Sequence, residues 1–483
     1  MTGTGTPLDL AVVGHTNTGK TSLLRTLLRD PGFGEVADQP GTTRHVESAQ
    51  LLAEDGTPLL ILRDTPGLED GMAVLEYTDR LIGVDERPDG PERIRRLLES
   101  PEATRRFEQE ARVLATVLAC DAALYVIDVR DPVLAKHRDE LTLLWACGRP
   151  ILPVLNFTRS PASLAQAWRD ALARLGLHAT VDFDTVAPAL DGEAQLIDRL
   201  GLMLDPHVDT LNRLRKDLET QRQRRRADAA RLIAELLVDA AALRLPCPLD
   251  STDLATVTVI LRKRTREREQ RCVQSLLKRY RFNRSTFPHH PLPLEGERWG
   301  MDLFNPQALK AFGLQVGKGL AAGAMAGATV DAFTGGLSMG TATLLGAAVG
   351  GLWQGANQWG KRLMGRVAGY TEITVDDPVL QLLCLRQLAL ARALERRGHA
   401  AWQPIDAETL LPSPQLTQAP DDSQPANEPA ALDQTLFDII MPILGSARGH
   451  PEWSSIGDAP IEHPHREAVV RQLATRLQVE LEE

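Results

Sequence analysis

The feature that most constrains this chain is an eight-residue stretch that follows a short apolar run. Leu8–Val13 is apolar, which predicts a buried strand. The next eight residues read G-H-T-N-T-G-K-T, and residues 22–28 then follow a helical pattern. Strand, glycine-rich turn and helix in this order, with the spacing G-x-x-x-x-G-K-[S/T], are typical of a phosphate-binding loop. The sequence therefore predicts an α/β domain with an anion site at a helix N-terminus.

The residue types of this loop match the chemistry of a magnesium-bound nucleotide. Its backbone N–H groups can surround phosphate oxygens, and the ammonium group of Lys20 can reach the β- and γ-phosphates. The hydroxyl group of Thr21 can ligate Mg²⁺. The predicted nucleotide-binding residues of the loop are Gly14, His15, Thr16, Asn17, Thr18, Gly19, Lys20, Thr21 and Ser22.

Two further loops carry chemistry that depends on the first. The D-T-P-G sequence that begins at Asp64 ends an apolar run, so the carboxylate can hold the magnesium shell and Gly67 can offer its N–H to the γ-phosphate. Between the two loops lies P-G-T-T-R at residues 40–44, where we expect Thr43 to complete the magnesium sphere. Simple turns are the alternative interpretation of both loops.

Alternating strands and helices define the fold class. Apolar runs at residues 122–128 and 151–155 predict strands, with a last strand at residues 181–186, and residues 105–118, 136–147 and 163–175 predict helices. Residues 83–104, which three prolines and a glycine interrupt, are expected to be an insertion after the D-T-P-G loop. The pattern predicts a doubly wound, mostly parallel sheet over residues 1–205. Together with the phosphate-binding loop and the D-T-P-G sequence, it resembles a Ras-like P-loop G domain. Nucleotide is expected at the carboxyl ends of the strands.

The combination of Asn17, P-G-T-T-R and D-T-P-G-L resembles the TrmE–Era–EngA clade of bacterial GTPases over residues 1–205. The whole chain resembles a bacterial family in which such a G domain precedes a C-terminal domain of unknown function. The resemblance implies GTP and GDP as ligands, Mg²⁺ as cofactor, and GTP hydrolysis in which Lys20, Thr43 and Gly67 take part.

The resemblance also implies three individual roles. Asn17 matches the asparagine that helps to bind K⁺ in potassium-dependent members, where the cation neutralises transition-state charge. Leu68 stands where Ras-like proteins have a catalytic glutamine, so another residue must orient the water. Glu76 has the spacing of the glutamate that orients the water in TrmE, and a surface glutamate is the alternative.

The base-recognition motif departs from the clade. Where Asn-Lys-x-Asp is expected, residues 156–159 read N-F-T-R, so Asn156 is retained while the lysine and the aspartate are lost. Arg159 cannot accept the hydrogen bonds that guanine donates to a carboxylate. Guanine specificity therefore follows from the resemblance and not from this motif. We expect the P-A-L sequence at residues 188–190 to replace the Ser-Ala loop that normally contacts the base.

The rest of the chain is predicted to be mainly α-helical, with a Gly-zipper hairpin. Residues 207–245 lack internal proline and glycine and predict one long helix or two, which Pro246 and Pro248 end, and residues 254–280 predict another helix. Salt bridges along the basic run at residues 262–268 are favoured over an RNA site. The predicted segments are a charged helical region (206–302), the glycine-zipper hairpin (303–362), a helix (363–403), a flexible linker (404–430) and short acidic helices (431–483).

The hairpin leaves two interpretations open. Residues 311–359 repeat G-x-x-x-G, which lets two helices approach closely. Each arm has about the 20 residues that span a bilayer. Gln315 and Lys318 interrupt the first arm and favour a tightly packed soluble hairpin instead. Membrane association through residues 311–359 and a soluble hairpin thus stay as alternatives.

Composition favours one cellular location, and several functional hypotheses stay open. Five isolated cysteines without metal spacing, and no basic and apolar leader at the N-terminus, favour a cytoplasmic protein, with the inner face of the membrane as the alternative location. The first functional hypothesis is a GTPase switch that acts on a membrane, a protein partner or a second copy. The alternatives are a nucleotide-binding module with negligible hydrolysis, a membrane anchor and a tRNA-modification or ribosome-assembly GTPase. Direct binding of nucleic acid is not expected.

Overall fold

The architecture is given by a computed structural model that describes residues 6–30, 33, 46–83, 86–248, 251–282, 303–304, 328–330, 370–399, 401, 434–456 and 463–482. The chain divides into two compact units. The first unit draws its described residues from 1–224, 281–291 and 394–403, and the second from 225–280, 292–393 and 404–483.

The first unit contains a six-stranded sheet with the order β2-β3-β1-β4-β5-β6. Only β2 runs antiparallel, against β3; the other neighbouring pairs are parallel. The strands are β1 (Leu8–Val13), β2 (Glu47–Leu52), β3 (Pro58–Asp64), β4 (Ala122–Asp128), β5 (Ile151–Asn156) and β6 (Val181–Asp182).

Helices cover both faces of this sheet, which explains why β1 is apolar throughout. Leu8, Leu10 and Val12 enter the core on one face, whereas Ala11 and Val13 enter the core on the other, and all five side chains are fully buried. The helices are α1 (Lys20–Leu28), α2 (Gly71–Arg80), α3 (Gly90–Glu99), α4 (Glu102–Arg105), α5 (Glu108–Ala119), α6 (Ala135–Ala146), α7 (Ala165–Arg174), α8 (Gly192–Met203) and the first half of α9 (Val208–Ala242).

This unit confirms the predicted G-domain fold, with two local differences. The proline-containing stretch after α2, predicted as an irregular insertion, includes helix α3. The carboxylate of Asp89 accepts the Glu92 N–H at its N-terminus, and Pro91 lies in the first turn. The last predicted strand is shorter than expected, since β6 ends at Asp182 and the chain then turns.

The second unit is mainly helical, as predicted. It contains the second half of α9 and helices α10 (Ser251–Arg279), α11 (Asp377–Glu395), α12 (Gln434–Arg448) and α13 (Pro464–Glu482). It also contains a small antiparallel sheet that the sequence analysis missed, with the order β7-β9-β8. Its strands are β7 (Arg244–Pro248), β8 (Ala328–Val330) and β9 (Tyr370–Val375). Pro246 and Pro248 are tolerated because β7 is an edge strand.

Strand β8 corrects part of the hairpin prediction. Ala328–Val330 was predicted to end a helical arm, but these residues pair with β9, where Thr329 and Val330 face Thr374 and Ile373. The remainder of residues 311–359, the linker 404–430 and the loop containing Thr43 lie outside the described residues. No helix in the described part of the chain is long and apolar enough to cross a bilayer.

Candidate functional site

The phosphate-binding loop occupies the turn between β1 and α1, and its backbone geometry requires its glycines. Gly14 has a φ of 146°, and a Cβ atom there would overlap the carbonyl oxygen of Val126. Gly19 has a φ of 93°, and its Cβ would overlap the side-chain amide of Asn156. Asn17 adopts a left-handed φ of 66°, which asparagine tolerates, and is exposed. The loop is thus tightly curved, and Asn17 is its solvent-exposed residue.

Lys20 places a buried ammonium group inside this loop. Its Nζ donates to the carbonyl oxygens of Gly14 at 3.1 Å and of His15 at 2.8 Å. Burial lowers the pKa of Lys20 to about 8, although the nearby Asp64 carboxylate acts to raise it. A buried cation without a full counter-charge favours a bound anion. The geometry therefore suits a phosphate group.

The predicted magnesium ligands Thr21 and Asp64 are brought into contact. Thr21 Oγ1 donates to Asp64 Oδ2 at 2.6 Å. Asp64 Oδ1 is buried and accepts no hydrogen bond from any described residue, and burial raises the pKa of Asp64 to about 6. A hydroxyl and a carboxylate oxygen are hard ligands of the kind that Mg²⁺ prefers, so these two side chains fit the ion. The third predicted ligand, Thr43, lies outside the described residues.

The remaining P-loop side chains connect the loop to its surroundings. His15 Nδ1 lies 2.8 Å from Glu140 Oε1, and His15 Nε2 lies 2.8 Å from Lys136 Nζ, so the second residue of the loop is tied to α6. Thr16 Oγ1 donates to Glu69 at 3.1 Å, and Thr18 Oγ1 donates to the His15 carbonyl at 3.0 Å. Ser22 contributes its carbonyl oxygen to the hydroxyl of Thr26 within α1.

Gly67 lies directly against the P-loop. A Cβ atom on Gly67 would lie 2.7 Å from both N and Cα of Thr16 and would overlap its hydroxyl. The next residue, Leu68, donates its N–H to the Gly14 carbonyl at 3.2 Å. Gln109 on α5 also donates to the Gly67 carbonyl at 2.5 Å. The D-T-P-G loop is therefore in direct backbone contact with the P-loop at Gly67. Either loop can move alone only if this contact is broken.

The two residues considered for orienting water have different environments. Leu68 is fully buried and offers no polar atom from its side chain. Glu76 lies on α2, where 60% of its side chain is exposed and its carboxylate is 3.6 Å from Arg80 one turn along the helix. Among the described residues, no hydrogen bond or ion pair joins Glu76 to the P-loop, so its role stays a prediction.

Asn156 connects three loops on the side of the site where the nucleobase is expected, here called the base side. Its Nδ2 donates to the Thr18 carbonyl at 3.0 Å, and its Oδ1 accepts the N–H groups of Phe157 at 2.9 Å and Thr185 at 3.0 Å. The residue is fully buried at the end of β5. One amide group thus joins the P-loop, the N-F-T-R turn and the loop after β6.

The sequence analysis missed several residues of this side. The loop that Asn156 contacts begins at Thr185, before the P-A-L sequence that we expected to replace the Ser-Ala loop. Asp184 accepts the N–H groups of Arg159, Val186 and Ala187 at 3.0–3.2 Å. The guanidinium of Arg130 lies 3.8 Å from the centre of the Phe157 ring. An aspartate two residues after a strand was the only signal for this arrangement.

Asn156→Ala is expected to lower the free energy of unfolding by about 1–3 kcal/mol, because it leaves the buried Thr18 carbonyl and Thr185 N–H without this partner. Chemical denaturation of the purified chain measures the effect. Asn212→Ala, at an exposed position of α9, is the matched control. A loss for Asn156→Ala within the roughly 0.5 kcal/mol typical of surface changes would contradict the connecting role of Asn156.

The P-loop after β1, Thr21 beside Asp64 at the end of β3, and Asn156 at the end of β5 form the arrangement of a P-loop G domain. A family model described as "50S ribosome-binding GTPase" matches residues 9–157. The chain belongs to the family of the "Domain of unknown function (DUF3482)", whose model matches residues 169–475, more than half of the chain.

Solved structures similar to this chain include two Era structures and one FeoB domain. An Era variant from Aquifex aeolicus bound to GDP.AlF4- is 17% identical, with 40% of this chain and 56% of that chain covered and a TM-score of 0.28. Era with MgGDPNP and a 16S ribosomal RNA fragment is 16% identical, with 40% and 56% covered and a TM-score of 0.29.

The G domain of the T. maritima FeoB iron transporter is 18% identical, with 41% of this chain and 99% of that domain covered and a TM-score of 0.24. The chain thus spans 56% of the length of each Era chain that it matches. A comparison with curated proteins gave no match.

Proposed function

We propose that this chain binds GTP and GDP together with Mg²⁺ and hydrolyses GTP slowly, as a molecular switch. The observation that carries the proposal is the contact of Thr21 with Asp64 at 2.6 Å, beside the buried ammonium group of Lys20. The buried Asp64 oxygen without a partner supports a bound cation at this point. The sheet supports a nucleotide at its carboxyl edge, where these three residues lie.

Each residue of the site has a defined task in this proposal. Lys20 binds the β- and γ-phosphate oxygens and stabilises the charge that develops on them during transfer. Thr21 and Asp64 hold the ion, which when bound neutralises phosphate charge. Gly67 links the γ-phosphate to the D-T-P-G loop and the start of α2, because its backbone lies against Thr16 of the P-loop. Loss of the γ-phosphate would therefore release the segment that leads into α2.

Slow turnover is expected because, among the described residues, neither of the two positions considered for orienting water brings a polar side-chain atom to Gly67. Leu68 is buried, and Glu76 would have to leave its exposed position on α2 to reach a water at the site. This observation also favours a second candidate function, a nucleotide-binding module with negligible hydrolysis. The two functions differ in turnover and not in affinity, so a rate measurement separates them.

K⁺ is expected to stimulate GTP hydrolysis by about tenfold or more over Na⁺, because the exposed carboxamide of Asn17 can help to hold a monovalent cation near the phosphates. Asn17→Gly should abolish the stimulation and leave the rate in Na⁺ unchanged, since glycine accepts the same φ of 66° without strain. Phosphate release by the purified chain with Mg²⁺, tested with GTP and with ATP in each salt, measures both effects.

The outcomes of this experiment are distinct. GTP turnover in K⁺ that falls to the Na⁺ rate in Asn17→Gly supports the cation-assisted mechanism. Equal rates in the two salts contradict the K⁺ proposal but leave GTP hydrolysis intact. Tight GDP binding without measurable turnover favours the binding module, and the absence of GDP binding contradicts both functions.

The partner of the switch is a separate proposal. The description of the G-domain model as a ribosome-binding GTPase favours a ribosomal subunit, whereas a membrane or a second copy of the chain rests on residues 311–359, outside the described part. Sedimentation with 50S subunits, and separately with lipid vesicles, in GDP and in a non-hydrolysable GTP analogue tests these partners. Only binding that depends on the nucleotide supports a switch.

A further inference from the structure

A short segment that follows helix α11 lies in the first unit, against the loop that begins after β6. The segment comprises residues 396–401, and the loop, here called the base loop, comprises residues 184–190. Gly398 donates its N–H to the carbonyl oxygen of Val186 at 3.0 Å. The segment comes from far along the chain, so only the tertiary fold brings it to this loop.

The contact is one of backbone against backbone, and only glycine permits it. A Cβ atom on Gly398 would overlap the carbonyl oxygen of Thr185, and it would lie 2.7 Å from the Thr185 carbonyl carbon and 3.1 Å from the Val186 oxygen. None of these atoms belongs to a flexible side chain. A larger residue at position 398 must therefore displace the segment or the base loop.

The segment is held in place by contacts of its own. Arg397 donates to the Ala401 carbonyl at 2.8 Å, and the Ala401 N–H donates to the Gly398 carbonyl at 3.1 Å, which closes a turn. The buried ring of His399 stacks on Phe282, with ring centres 4.3 Å apart and planes inclined by 10°. These contacts give the segment a fixed surface against which the base loop can rest.

The base loop is also hydrogen-bonded to Asn156 at the end of β5 and to Thr26 on α1. Thr185 donates its N–H to Asn156 at 3.0 Å, and the Thr185 carbonyl accepts the hydroxyl of Thr26 on α1 at 3.1 Å. Two residues beyond Thr185, Ala187 donates its N–H to the carboxylate of Asp184 at 3.1 Å, which fixes the next part of the loop. The base loop is thus fixed between Asn156 and Thr26 on one side and Gly398 on the other.

The boundary between the two matching family models separates the phosphate-binding residues from the base loop. The G-domain model ends at residue 157, just after Asn156, whereas the DUF3482 model runs from residue 169 to 475 and so contains both the base loop and Gly398. The part of the site that carries the phosphates and the part that carries the base loop therefore belong to different matched regions. The base loop and the segment that contains Gly398 both lie in the region that the DUF3482 model matches.

We propose that Gly398 is a positioning residue for the nucleobase: its backbone contact sets the base loop, and through that loop the affinity for the base of the bound nucleotide. The proposal rests on the nucleotide binding proposed above. It concerns the guanine base and not the phosphates, because the phosphate side is built from the P-loop and Asp64, which Gly398 does not contact among the described residues. Gly398 is thus assigned to base affinity and specificity.

The test compares Gly398→Ala with the wild-type chain in equilibrium binding of GDP, ADP and inorganic pyrophosphate, the last by competition against labelled GDP. We expect GDP affinity to fall roughly tenfold, the preference for GDP over ADP to shrink, and pyrophosphate affinity to stay unchanged, because one backbone-supported polar contact to the base is misplaced. Gly201→Ala, at an open position of α8, is the matched control and should leave all three affinities unchanged.

A second variant tests the same contact without introducing a steric overlap that could cause misfolding. His399→Ala removes the stack on Phe282 without adding atoms at the base loop, and is expected to change the same two GDP readouts in the same direction. Wild-type GDP affinity retained in both variants would overturn the inference. So would a loss of GDP and pyrophosphate affinity by the same factor, or a lower unfolding temperature with an unchanged GDP-to-ADP ratio. A wild-type chain that binds neither nucleotide would overturn the proposed function as well.

Discussion

Lys20→Ala is expected to lower both GTP affinity and GTP turnover by roughly two to three orders of magnitude, the scale seen when one charge-stabilising donor is removed from an active site. The ammonium of Lys20 is buried between the Gly14 and His15 carbonyls, and its pKa is lowered to about 8 by that burial. A phosphate group offsets this desolvation, so the lysine and the nucleotide stabilise each other. Titration with a labelled, non-hydrolysable GTP analogue measures the loss of affinity, and phosphate release from GTP measures the loss of turnover.

Two variants make this experiment specific. Lys20→Gln keeps a hydrogen-bond donor but lacks the charge, and we expect it to resemble Lys20→Ala if charge dominates. Lys263→Ala removes a lysine whose side chain is 74% exposed on α10, and it should leave binding unchanged. Wild-type GTP affinity in Lys20→Ala, in a chain that unfolds at the wild-type temperature, would show that the P-loop does not bind the phosphates.

The phosphate side of the site could be predicted from the sequence because its contacts follow local rules. The spacing from Gly14 to Thr21 sets the turn and the start of α1, and the end of the next parallel strand places Asp64 beside it. The structure brings Thr21 and Asp64 to 2.6 Å from each other, as expected for two residues that share an ion. A strand order with β3 next to β1 is sufficient to explain this contact.

The base side could not be predicted to the same depth. Asn156 follows from the position of β5, but its partner Thr185 depends on where β6 ends, and the side chain of Asp184 determines that turn by accepting two backbone N–H groups. The secondary-structure propensities of the neighbouring residues do not predict such a side-chain hydrogen bond. The contact of Gly398 with Val186 joins positions too far apart in the chain for any periodic pattern.

The second unit shows the same limit. Its long helices were predicted from runs without internal proline or glycine, and α9 and α10 confirm them. Strand β7 was missed because Pro246 and Pro248 suggested only the end of a helix, whereas an edge strand accepts both. Strand β8 has three residues, and its pairing with β9 is decided by tertiary context rather than by composition.

Base recognition therefore differs from phosphate recognition in how it is built. Phe157 replaces the lysine of the usual motif and packs under Arg130, and no carboxylate stands at position 159. The carboxylate that is present, Asp184, already accepts three backbone N–H groups. The base side is consequently held by the loop backbone and its supports, which is why a glycine on a distant segment can matter for it.

The second large effect is expected for Gly67→Ala, which should lower GTP turnover by roughly 100-fold, the cost of a misplacement near 1 Å at a reacting centre. Its Cβ would lie 2.7 Å from N and Cα of Thr16, so one of the two loops must move. The P-loop is held by Lys20 and by the His15–Glu140 contact, and the D-T-P-G loop therefore yields. Single-turnover phosphate release measures the rate.

GDP affinity distinguishes this effect from general damage. GDP has no γ-phosphate and does not need the Gly67 N–H, so its affinity should change far less than the rate of GTP hydrolysis. Thr16→Gly combined with Gly67→Ala removes the overlap with the Thr16 hydroxyl but leaves the backbone atoms at 2.7 Å, and it should not restore turnover. Gly201→Ala is the control with open space around it. Wild-type turnover in Gly67→Ala, or full rescue by the double variant, would mean that the backbone contact between the two loops does not limit the reaction.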